Sequence, residues 1–120
     1  MFDRFWSEYP RHVDKALARV KFAAITSVHG YMTDMRDRDN GRLVKIHLKA
    51  TGLELVMGAA WYARECLEES TEPRYICHPA TWLNRGRWMD YDADQVRAWF
   101  EERERRRPQV EDFMARRAGR

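Results

Sequence analysis

The apolar positions of this chain recur at spacings of three and four in several stretches and alternate in one. Phe2, Phe5, Trp6 and Tyr9 fall on one face of a short helix, which Pro10 closes because the residue before a proline is pushed out of helical geometry. A second helix is predicted over residues 13–27. Val13, Ala16, Leu17, Val20, Ala23 and Ala24 form its core-facing stripe, Lys15, Arg19 and Lys21 point elsewhere, and Gly30 is the stop signal shortly after it.

The pattern then changes to a period of two. Leu43 or Val44, Ile46 and Leu48 alternate with polar residues, and Asn40-Gly41 is a hairpin turn signal that would pair this strand with "HGYMTDM". An unpaired extended connection fits the same residues. Helical spacing returns from Thr51 to about Glu69, where Leu55, Val56, Ala59, Ala60, Tyr62, Ala63, Cys66 and Leu67 give a wide apolar face. Gly58, Ala59, Ala60 and Ala63 would let another helix approach closely, so this is the expected central helix.

"STEPRYICHP" follows as an extended segment bracketed by Pro73 and Pro79. In "HPATWLNRGRW", Pro79 suits the first turn of a helix and Gly86 the left-handed position just past its end, which predicts a two-turn helix over residues 79–85. Trp82 and Leu83 would share one side, Trp88 would pack back on them, and Asn84, Arg85 and Arg87 would stay at the rim. A terminal helix is expected from Asp92 or Asp94, whose acids suit a helix N-terminus. Val96, Trp99 and Phe100 can dock on the core, and Pro108 would impose a kink or a fresh start before Val110, Phe113 and Met114. Trp99, Phe100, Phe113 and Met114 either fold back or pair with a second copy, so a homodimer through this helix is one expectation. The predicted fold is mainly α: a small single-domain helical bundle, with a short β-hairpin over about residues 31–48 and an extended C-terminal helix. It divides into a module over residues 1–91 and a charged tail over residues 92–120.

Composition narrows the function classes. The 120 residues are 44% hydrophobic and 34% charged, enough apolar material for one core beneath a heavily charged surface. Twenty-two Lys and Arg face 19 Asp and Glu, a net of only +3, so the question is where the arginines cluster. No apolar run approaches the roughly 20 residues that span a bilayer, and the N-terminus has no signal-peptide pattern. A cytoplasmic protein without membrane partners is the expectation.

Candidate chemistry is sparse. Cys66 and Cys77, with His78 and the distant His29 or His47, could be assembled into a metal site on paper, but their spacing matches none of the usual zinc pairs and packed thiols are the simpler reading. "DYDAD" reads as a helix cap, and "MRDRDNGR" lacks the ligand spacing and closing Glu of a calcium loop. With no phosphate loop, no HExxH and no nucleophile in a catalytic context, neither an enzyme nor a cofactor is expected.

Three stretches together resemble a known domain. "FDRFWSEYPRHVDKALARVKF" is similar to a FxxFWxxYPRKxxKxxAxxAF element, "GLELVMGAAWYA" to a xEELIxGxxxYA helix, and "PRYICHPATWLNRGRWMD" to a PxYIxHPxTWLNxGRWxD element. These elements mark a small helical domain of bacteriophage and prophage replication proteins, of the replisome-organiser or helicase-loader-like kind. The resemblance spans residues 2–90 and brings no catalytic residues with it. It begins at residue 2, so the module is expected to stand without the N-terminal DNA-binding region that usually precedes it, and it adds a charged tail where such domains usually stop.

The resemblance implies a replication accessory role in the bacterial host cytoplasm, binding DNA, the replicative helicase or its loader. Arg11, Lys15, Asn84, Arg85 and Arg87 in the matched elements, and Arg103, Arg105, Arg106 and Arg107 in the tail, are the candidate DNA- or partner-binding residues. Two arginines flanking a glycine turn also sit beside backbone N–H groups able to hold an anion. A non-enzymatic adaptor or inhibitor of a host protein is the alternative, because tryptophans and arginines are typical interface anchors.

Overall fold

In the computed structural model, the backbone is described for residues 1–118 and side chains for residues 1–107. The order is α1 (Phe2–Glu8), α2 (Lys15–Thr26), β1 (Tyr31–Arg36), β2 (Leu43–Leu48), α3 (Gly52–Glu68), α4 (Pro79–Asn84) and α5 (Ala93–Ala118). Single 3₁₀ turns at Pro73–Tyr75 and Arg87–Asp90 flank α4, the first of them within the segment expected to be extended throughout.

Local chemistry explains most boundaries. α1 stops because Tyr9, ahead of Pro10, is extended (φ −69°, ψ 135°). Thr51 and Glu54 form a reciprocal capping box at the start of α3. The Asp92 carboxylate accepts the Asp94 and Gln95 amides, both at 3.1 Å, to start α5. α2 begins two residues later than the apolar pattern indicates, because Asp14 is left-handed (φ 54°).

β1 and β2 pair antiparallel, with Tyr31 opposite Leu48, Thr33 opposite Ile46 and Met35 opposite Val44. Those six share one face, since directly opposed residues project to the same side; Leu43 lies on the other, which settles the register in favour of Val44. The turn is longer than Asn40-Gly41 alone. Asp37 donates to the Arg42 carbonyl at 2.7 Å, Gly41 donates to the Asp37 carbonyl at 2.9 Å, and Gly41 takes the positive φ (69°).

Trp82 is the centre of the core. It is fully buried, with the rings of Phe5, Tyr9 and Trp88 at 5.9, 5.7 and 5.8 Å and Tyr62 stacked at 6.3 Å. α3 passes it at Gly58, where a Cβ would meet Trp88 Cβ at 2.9 Å and the Trp82 ring at 3.1 Å. Gly58 thus accommodates two indoles, while α1 and α5 also pack closely along α3, as its small residues lead one to expect. Val96 and Phe100 of α5 are buried in the same core, and Trp99 packs against Trp61.

Three sequence expectations are corrected. The buried face of α2 is Ala18, Phe22 and Ile25, while the stripe of Ala16, Leu17, Val20 and Ala23 points outward; the larger Phe22 and Ile25 bury more apolar area than the stripe would. Leu67, expected on the inner face of α3, is 81% exposed. Of the two outcomes expected at Pro108, a kink or a fresh start, the fresh start does not occur: α5 runs as one element to Ala118, and the loss of one backbone donor has not ended it. Val110, Phe113 and Met114 lie outside the residues whose side chains are described.

The two faces of α2 separate cleanly by mutation. Phe22→Ala is expected to cost about 3–5 kcal/mol and Val20→Ala no more than about 0.5 kcal/mol, measured as the change in unfolding free energy in denaturant. Similar losses for both would contradict the burial pattern.

Candidate functional site

"HPATWLNRGRW" folds as a corner. His78 is extended and accepts the Trp82 amide at 2.9 Å, Pro79 takes the first helical position, and Gly86 turns the chain with φ 60° so that Trp88 comes back against Trp82. A side chain at 86 would strike Leu48 Cδ2 at 2.8 Å, so the glycine also brings the hairpin root against the corner. Thr33 of β1 donates to Asn84 Oδ1 at 3.3 Å, a second tie between hairpin and corner. Arg85 projects into solvent without an ion pair among the described residues, whereas Arg87 is half-buried beside Cys77. Burial pushes the Cys77 thiol up, with Arg87 and Arg85 pulling the other way; the thiol is therefore protonated at neutral pH.

The first matched element locks onto this corner. Tyr9 Oη donates to the Cys77 carbonyl at 2.5 Å, Tyr62 Oη accepts the Cys77 amide at 3.0 Å, and Arg11 donates to the Ile76 carbonyl at 2.9 Å. Burial drives the Tyr9 hydroxyl far above the usual tyrosine range, so it remains a donor. Arg11 is thus a clamp on the segment before α4. Lys15 remains exposed, with Nζ 5.8 Å from the centre of the Trp6 ring.

The tail arginines are committed elsewhere. Arg103 grips Glu8 through both carboxylate oxygens at 3.0 and 2.6 Å, reaches Glu104 at 3.2 Å, and lies over the Phe100 ring. Arg4 pairs with Glu104 at 2.7 Å. Arg105 and Arg106 both pair with Glu102, and Arg107 reaches Glu104 at 3.7 Å. An anion would have to displace these carboxylates.

Cations that sequence reasoning passed over are on the hairpin. Arg38, Arg42 and Lys45 are exposed and make no ion pair among the described residues. The interleaved acids disguised them, but Asp37 is occupied by the Asp39 amide at 2.8 Å, as Asn40 is by the Arg42 amide at 2.9 Å. Charge is also segregated along the chain. Residues 11–49 hold nine Lys and Arg against four Asp, while residues 50–72 hold five Glu against Arg64 alone. In that acidic half, burial and then Glu69 push the Glu65 carboxyl up.

Among the described residues no group of three or more His, Cys, Asp or Glu is placed to hold a metal ion, and no helix is long and apolar enough to cross a membrane. The chain matches no family model, no curated protein and no solved structure.

The α1–α5 ion network carries a pH signature. Arg4, then Arg103, hold the Glu104 carboxyl below the usual carboxylate range. A lowered folded-state pKa gives stability that is present above the unfolded value, near 4.5, and is lost as pH falls through the folded value. Glu104→Gln should therefore flatten the acid limb of the stability curve below pH 4.5, read by denaturant unfolding across that range; an unchanged limb would show that the network contributes nothing.

Proposed function

We propose that the chain is a phage or prophage DNA-replication accessory module, non-enzymatic, that binds DNA and works with the replicative helicase or its loader in the bacterial cytoplasm. The observation that carries this reading is the mutual locking of the two resemblance-bearing segments through Tyr9 and Arg11, which leaves Arg85 on the surface next to a hairpin whose Arg38, Arg42 and Lys45 make no ion pair among the described residues. Phosphates bind such cations because each contact releases counterions. The α5 arginines, already neutralised by Glu8, Glu102 and Glu104, contribute less.

A second reading, an adaptor or inhibitor of a host protein, is favoured by one specific feature: the apolar side of α2 that the core does not use. The two readings differ in their response to salt.

Duplex and single-stranded DNA titrated in rising salt tests the DNA part. With about four phosphates neutralised, affinity should fall on the order of a hundredfold between roughly 50 and 200 mM salt. Arg38→Ala with Arg42→Ala should reduce the slope of log affinity against log salt by about two, and Arg85→Ala by about one. Arg105→Ala with Arg106→Ala should change it less. Binding that ignores salt, or none at low salt, removes DNA from the proposal.

A further inference from the structure

α2 is apolar on two opposite sides. Ala18, Phe22 and Ile25 enter the core. At 100° per residue, Ala16, Leu17, Val20 and Ala23 line up on the far side, where Leu17 is 49% and Val20 63% exposed. A surface helix ordinarily presents polar residues there. The helix contains Lys15, Arg19 and Lys21 and no acid at all, so cations border the outward stripe: Lys15 and Arg19 along one edge, Lys21 along the other. They are positioned by aromatic neighbours. Arg19 lies over Phe2 at 4.8 Å and 4.0 Å from the exposed Asp3, and Lys21 Nζ is 2.8 Å from the Tyr31 hydroxyl.

We propose that this outward stripe is the docking face for an acidic amphipathic helix of a partner protein. Small side chains at 16 and 23 allow a second helix to approach to about 8 Å between axes, with Leu17 and Val20 as the anchors between its turns. The bordering cations select glutamates or aspartates flanking the partner's apolar stripe and disfavour a basic helix. Among the described residues a second copy fits poorly: α2 against α2 would set cation on cation, and the acidic end of α3 offers only Leu67 beside Glu65, Glu68 and Glu69. A membrane surface fits less well, because the stripe is short and lacks the aromatic residues of interfacial helices. The inference rests on the partner-protein part of the proposed function and does not depend on DNA binding.

A synthetic 18-residue helix with Leu and Ala on one face and Glu on the other, about five turns long, serves as probe, titrated into the full ¹⁵N-labelled chain. Its counterpart with Lys replacing Glu is the charge control, and phosphatidylglycerol vesicles are the lipid control. The Glu peptide should shift the amides of Leu17 and Val20 and leave the end of α3 unmoved. Leu17→Gln with Val20→Gln, which keeps helix propensity, should weaken it at least about tenfold while leaving the melting temperature and DNA affinity essentially unchanged. No shift on α2, equal binding of the Lys peptide, preference for the vesicles, or full peptide affinity in the double variant would each overturn the proposal. If the wild-type chain binds no DNA yet the Glu peptide docks on α2, the DNA part of the functional reading fails and this inference stands.

Discussion

Trp82 occupies the space that Gly58 leaves open on α3, and the positions of the neighbouring elements follow from that packing. An indole with no exposed surface must be enclosed on all sides. Phe5 and Tyr9 come from α1, Tyr62 from the next turns of α3, and Trp88 from beyond the Gly86 turn. Because α1 is drawn in, Arg11 reaches the carbonyls ahead of α4, and because the corner closes tightly, Leu48 and the hairpin root sit against Gly86. Arg85 on the rim of the corner and the root of the hairpin are thus placed by apolar packing, whereas the cations of the hairpin tip follow from the strand pairing and the hydrogen bonds of its turn.

Charge is handled differently at the two ends of the molecule. Along α5 every described arginine has a carboxylate partner, and Arg103 reaches across to α1. Such exposed or half-exposed pairs add modest stability each, and the shared acids Glu102 and Glu104 make them a network. Along α2 and the hairpin the cations outnumber the acids, and several rest on aromatic faces instead of carboxylates. A positive field therefore survives on that side of the molecule and is cancelled on the other.

What could be read in advance divides along the same physical line. The corner was legible because proline and glycine act on their own backbone, so "HPATWLNRGRW" specifies its start and stop locally. The hairpin was legible in kind from Asn40-Gly41 and the alternation after it, although the choice between Leu43 and Val44 needed the register. α2 was misread because two apolar stripes share one helix, and periodicity does not say which side meets Phe5 and Trp82. The candidate arginines of α5 were visible as charges, but the Arg103 partner, Glu8, lies 95 residues away, a separation that no local pattern bridges. Their pairing with Glu102 follows the three- and four-residue rule for helix neighbours.

The hairpin is anchored unevenly, and this sets where the molecule can open. Its root is held by fully buried Leu48, by the Tyr31 contact to Lys21 and by the Thr33 bond to Asn84, whereas Leu43 and Val44 toward the tip are largely exposed. Few buried apolar contacts mean a low free energy of local opening. The strands can therefore separate from the tip inward as far as Thr33 and Ile46 without disturbing the indole core. The arginines of the tip thus ride on a unit whose conformational freedom is decoupled from the stability of the domain that carries it.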